Sequence, residues 1–321
     1  MLHSYGQDFS HVRSAKVAGS YTMPIYKNHQ VNALAWAIGS PNLLLKDAGL
    51  PVHTNGFFTD ALTASTGWLA ELDDDPSPLL AALDKPGQWR VGLYFERLVG
   101  FWLEHHSTYS LACHEVQIRN QERTLGALDF VVETRPGYYE HWEIAVKFYL
   151  QARDSSEWSA WIGPNRRDRL DLKALRMISH QLPLSDHPRA KEQLLKLGID
   201  SISGRRGLLK GMLFKHYGSN SADCESVNKD CPMGRWIEAH RLEEIISHYP
   251  DHRWFKRIKP DWLGERLVNA EESLSGDELL EHTRRTPPVG PSMWSGLHSS
   301  VDGWASSQRI FIVQDSWRPR G

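Results

Sequence analysis

A mixed α/β fold, one sheet flanked by helices, is the class this sequence predicts, and three observations carry it. The stretch "QWRVGLYFERLVGFWLEHH", from residue 88, places apolar residues at 91, 94, 95, 98, 99 and 102, the spacing of one helix face. Three runs rich in β-branched and aromatic residues follow, over 111–119, 124–134 and 138–150. A helical pattern over 165–182 then precedes one more apolar run, "RRGLLKGMLF", over 205–214. The resulting order is helix, three strands, helix, strand.

The remaining elements are read around that block. Residues 1–20 are polar and aperiodic and are expected to be a disordered lead, and residues 21–87 a helical N-terminal segment. Within it, "NHQVNALAWAIGSP" reads as a helix stopped at Gly39-Ser40-Pro41, followed by a short second helix. "ELDDDPSPLLAALDKPG" reads as an acidic, proline-bearing surface connection. "RPG" at 135–137 is a turn between two strands. After the 88–216 block, residues 217–321 give weaker signals and are expected to form an irregular extension packed on the core, ending in a strand at "SQRIFIVQDSW".

Bulk properties narrow the function classes. The chain has 321 residues, a net charge of −2 and three cysteines. A near-neutral charge excludes nucleic-acid binding by a global basic field, so any polyanion site must be a local patch. Three cysteines make no disulfide framework, which suits a reducing cytoplasm. The N-terminus lacks the apolar core of a signal peptide, and no run of about 18 apolar residues offers a membrane span.

Two strand runs carry charges that a buried strand should not. In "YYEHWEIAVKFYL", Trp142, Ile144, Val146, Phe148 and Leu150 alternate strictly. Glu143, Ala145 and Lys147 therefore share the opposite face. Asp129 interrupts "GALDFVV" in the preceding strand. If the two strands are antiparallel neighbours, these polar groups converge. Two facing carboxylates repel unless a cation lies between them, and an oxygen-rich site suits Mg²⁺ or Mn²⁺. A lysine beside such an ion can orient an attacking water and offset charge on a phosphorane-like transition state. Glu96, whose helical neighbours are small or apolar, points toward the same sheet.

These residues resemble the PD-(D/E)XK nuclease superfamily, over about 130 residues of the chain. The resemblance implies a restriction-endonuclease-like α-β-β-β-α-β core at 88–216. It also implies roles: Glu96 as the helix acid, Asp129 as the metal-bridging acid and Lys147 as the catalytic lysine. "LDF", "WEIAVKFYL" and "GPNRRDRL" are also similar to an uncharacterised bacterial family known only as a domain of unknown function. The superfamily often uses the helix after the third strand near the scissile phosphate, which makes Gln181 and Lys173 candidates. One departure stands out. The acid two residues before the lysine is replaced by Ala145, and Glu143 lies four residues away, roughly 13 Å on a flat strand. Glu96 is expected to compensate, with Glu143 at the edge of the site.

Arg166, Arg167, Arg169 and Lys173, read on the first two turns of the 165–182 helix, are expected to hold backbone phosphates. The expected function is thus metal-dependent phosphodiester hydrolysis of nucleic acid, DNA in the first instance. The alternative is the same fold, silent through Ala145, acting as a nucleic-acid or protein adaptor.

Overall fold

The computed structural model describes residues 13–16, 22–87, 90–105, 108–219, 224–300 and 303–317. Its centre is a mixed sheet assembled in the order β3-β4-β5-β7-β8-β11-β10-β9. In chain order these strands are β3 (Ser110–Arg119), β4 (Thr124–Arg135), β5 (Tyr138–Gln151), β7 (Gly204–His216), β8 (Met233–Glu238), β9 (Arg253–Arg257), β10 (Ser292–Ser300) and β11 (Gly303–Val313). The short β6 (Trp161–Ile162) pairs with the end of β5. β3, β4 and β5 form an antiparallel meander. β5, β7, β8 and β11 then run parallel. β10 and β9 return antiparallel.

The alternation in β5 is real and sets the layers. Trp142, Ile144, Val146, Phe148 and Leu150 all enter one core, shared with helices α1 (His29–Gly39), α2 (Asn55–Asp74) and α4 (Val91–His105). α1 is buried along most of its length and is capped by Asn28, whose side chain accepts from the Gln30 and Val31 amides. Its C-terminal carbonyls, on Ala37 and Ile38, accept from the buried Lys210 of β7 at 2.6 and 2.9 Å. On the opposite sheet face Ala145 and Tyr149 meet α5 (Leu170–Arg176), through Leu170 and Ala174. α6 (Pro188–Lys196) covers β3 and β4 through Ala190 and Leu194. α7 (Leu242–His248) and α8 (Gly276–Arg285) cover the far strands through Leu242, Ile245 and Leu279, against Ile310 and Ile312. Where β7 passes Lys147 of β5 the backbones approach so closely that a Cβ on Gly211 would lie 1.7 Å from the Lys147 carbonyl oxygen, at a φ of +148°.

Four expectations need amendment. Within the polar lead, Arg13–Lys16 form β1, paired with β2 (Thr22–Ile25); residues 1–12 and 17–20 lie outside the described residues. The acidic connection contains α3 (Ser77–Leu83), because Leu79 and Leu83 bury against the helical core. The 165–182 helix begins only at Leu170, and Arg166 adopts a φ of +60° in the loop before it. The C-terminal region is no irregular appendage, since β8, β11, β10 and β9 extend the central sheet. Its strands are short or broken by serine and glycine, so they carry little alternation in sequence.

Candidate active site

The site forms where β4 and β5 part. Their ladder pairs Val131 with His141 and Phe130 with Trp142, and there it ends. The next residues in register are Asp129 and Glu143. Like charges directly opposite on neighbouring strands destabilise a ladder. The strands separate, and Asp129 Oδ2 accepts from the Ile144 amide at 2.9 Å in place of a main-chain carbonyl. Glu143 is 1% exposed, and its Oε2 is buried without a hydrogen-bond donor among the described residues. Burial first, then the Asp129 charge, pushes the Glu143 carboxyl up to about 8. Burial also raises the Asp129 carboxyl, opposed by the Ile144 amide and by a hydrogen bond shared with Glu143.

Further acids flank the pair. Glu96, on α4, is pushed up to about 7, by burial first and then by the charges of Asp129 and Glu115. Glu115 was not anticipated from sequence. It sits across from Asp129, between the pairs His114–Phe130 and Val116–Leu128, with a φ of +50°. That left-handed backbone in a strand is invisible to a periodicity argument. His141 is buried behind the pair, its Nε2 3.8 Å from Glu143 Oε2, and burial pushes it down to about 4.

The cationic side comes from α5 and the π-helical turn after it, Met177–Gln181. Lys173 Nζ donates to Gln181 Oε1 at 2.8 Å, and Gln181 Nε2 donates to Glu143 Oε1. Burial lowers the Lys173 ammonium, while Glu143 and Asp129 raise it. Eight residues of unbroken α-helix would leave Lys173 and Gln181 about 80° apart. The wider π turn rewinds that angle and brings both onto the face that meets the acids. Glu143 is thus central to the cluster and not at its edge.

Lys147 is placed elsewhere. Its Nζ lies 2.5 Å from Asp168 Oδ2, and Tyr149 Oη donates to Asp168 Oδ1 at 3.4 Å. The amine set against the acid pair is therefore Lys173. Of the expected phosphate-binding residues, Arg169 is forked onto Asp171 at 2.8 and 2.5 Å, and Lys173 is engaged as described. Arg166 and Arg167 are exposed on the loop.

Among the described residues, no group of three or more His, Cys, Asp and Glu side chains is arranged to hold a metal ion. The fork offers a cation two carboxylates, not a cage. That donor set suits Mg²⁺, which keeps several waters and is commonly held by one or two carboxylates together with substrate phosphates. The donorless Glu143 Oε2 and the raised acids are what such a charge would satisfy.

No helix among the described residues is long and apolar enough to cross a membrane. No curated protein and no solved structure matches the chain. A family model described as "Domain of unknown function (DUF1853)" matches residues 32–313, and with most of its length covered the chain belongs to that family.

Proposed function

We propose that this protein hydrolyses phosphodiester bonds of nucleic acid with a divalent cation, on a restriction-endonuclease-like core of the PD-(D/E)XK type. The observation that carries the reading is the placement of Asp129 directly opposite Glu143 at the strand fork, both acids raised and Glu143 left without a donor on one oxygen. The element order from α4 to β7 supports it. When bound, Mg²⁺ or Mn²⁺ supplies a Lewis acid for the phosphoryl oxygens and an acidified water. Asp129 and Glu143 hold that charge. Lys173 takes the role that the sequence offers to Lys147: it hydrogen-bonds the attacking water and offsets the negative charge that develops on phosphorus. Gln181 fixes the Lys173 ammonium against Glu143. Glu96, in its ionised form, can take the proton of the water as the water oxygen bonds to phosphorus and the P–O bond to the sugar breaks, the departing sugar oxygen taking a proton from solvent.

The test is incubation of labelled DNA and RNA, single- and double-stranded, with Mg²⁺ or Mn²⁺. Cutting that disappears in EDTA and in both Asp129→Asn and Glu143→Gln supports the reading; cutting that survives either variant defeats it. A second reading, a silent binding adaptor, is favoured by one observation: Gln181 and Lys173 already engage Glu143 from within the protein. It predicts no heat of Mg²⁺ binding by calorimetry and strand binding that EDTA leaves unchanged.

A further inference from the structure

The geometry points to the loop at residues 163–168 as a rigid clamp for the phosphates of a polynucleotide strand, presenting Arg166 and Arg167, with Lys147 as the positioning residue that holds it. This rests on the nucleic-acid reading above but not on catalysis.

The loop is closed at several points. Gly163 donates its amide to the Asp168 carbonyl at 2.8 Å, and Arg166 donates to the Gly163 carbonyl at 2.8 Å. Ile162 bridges Arg169 across its base. Trp317, 1% exposed and edge-on to Trp236, donates its indole N–H to the Pro164 carbonyl at 2.8 Å. A Cβ on Gly163 would touch Asp168 Cβ at 3.1 Å, so the turn is tight. At its apex Arg166 takes the left-handed conformation at φ +60°. Such a backbone costs about 1 kcal/mol or more in a residue with a side chain and persists where surrounding contacts impose it.

What the strain yields is two arginines held in solvent. Arg169 has Asp171, Arg205 has Asp186 and Arg189 has Glu192. The side chains of Arg166 and Arg167 make no hydrogen bond or ion pair with the described residues. Two unneutralised guanidiniums carried on a fixed backbone are suited to bidentate recognition of phosphate. The tether joins this loop to the site. Asp168 is gripped by Lys147 and Tyr149, on the same β5 face as Glu143. Lys147 is four residues beyond Glu143, roughly 13 Å along the strand. The tether of the loop thus lies about two phosphate spacings from the acid pair, so a ligand that reaches both is a polymer and not a mononucleotide.

The test measures binding of a fluorescein-labelled single-stranded oligonucleotide by polarisation, in EDTA, across a salt series. The double variant Arg166→Ala/Arg167→Ala should weaken binding and flatten the plot of log K against log salt by about 1.4, two phosphate contacts at ~0.7 each. Lys147→Ala should weaken binding in the same direction, and Lys147→Asp combined with Asp168→Lys should restore it. If the protein cuts, Lys147→Ala should raise KM and leave kcat nearly unchanged. An unaltered salt slope in the double arginine variant overturns the proposal. So does a Lys147→Ala variant that binds normally but loses kcat, since Lys147 would then act on the reaction. Displacement of the strand by polyglutamate as readily as by unlabelled DNA would point to an acidic protein partner and also overturn it. Arginine-dependent binding without any cutting supports the clamp while removing the nuclease reading.

Discussion

Two regions of this molecule bury charge, and they balance it in opposite ways. In the C-terminal half, Arg257 and Arg309 are both nearly inaccessible and share one carboxylate, Glu265, at 3.0 and 2.9 Å. The surplus positive charge is absorbed by carbonyls. Arg257 donates to those of Asp261 and Gly264, and Arg309 to that of Trp262. Arg257 also reaches Ser295 Oγ. The cluster staples the segment 261–265 to β9 and β11, and both guanidiniums are ion-paired, although Arg309 Nε is buried without an acceptor among the described residues. At the β4–β5 fork the imbalance runs the other way, with Glu96, Asp129 and Glu143 meeting the amine of Lys173. One acid oxygen there has no donor. The structural cluster pairs each of its charges with Glu265, while the acid-rich one carries an excess of carboxyls that a charge from outside would balance.

The comparison is sharpest if each cluster is broken in turn. Glu265→Ala leaves two buried guanidiniums without a counterion. It should cost about 3–5 kcal/mol of unfolding free energy, read by urea denaturation, because an uncompensated buried charge is left behind. Asp129→Asn should do the reverse: little loss of stability, but a drop of about 100-fold or more in cation-dependent cutting, measured under single-turnover conditions. Should Asp129→Asn unfold the protein while Glu265→Ala does not, the assignment of structural and functional clusters is inverted.

The acids also set a pH signature. The Glu143 carboxyl moves from an ordinary 4.5 to about 8, and that of Glu96 to about 7. Between these values the folded protein holds protons that the unfolded chain has released. Stability of the metal-free protein should therefore fall as pH rises from about 4.5 to about 8. Thermal melts across that window should show the decline. Glu143→Gln should flatten it, and Mg²⁺ should raise Tm more at pH 8 than at pH 5. A flat profile in the wild-type protein would mean that the acids are not raised. The smallest effect is expected at Gln181→Ala, which removes the link between Lys173 and Glu143. A loss of about tenfold in cutting is expected, the scale of a partner that orients a reacting group.

How far the sequence foretold this depends on whether local pattern or distant contact decides. β4 and β5 were legible to within a residue because strict alternation and a Pro-Gly turn are local signals. The convergence of Asp129 and Glu143 followed from antiparallel pairing alone. Arg166 and Arg167 were misplaced because "NRRDRLDLKALR" has helical composition, while the loop is held by Lys147, Tyr149 and Trp317, all remote in sequence. The sequence offers Gln181 and Lys173 as candidates near the scissile phosphate, and Lys173 also as a phosphate contact; only the π turn after α5 reveals that both face the acids. α6 and α8 are short and expose most of their residues, and neither is assigned from sequence.

One consequence of the strand fork is diagnostic. The Ile144 amide hydrogen points at a carboxylate oxygen of Asp129 rather than at a neighbouring peptide. Its proton chemical shift and its exchange with deuterated solvent should therefore follow the charge on that single side chain. A backbone resonance at the middle of β5 becomes a gauge of occupancy, readable with no substrate and no turnover.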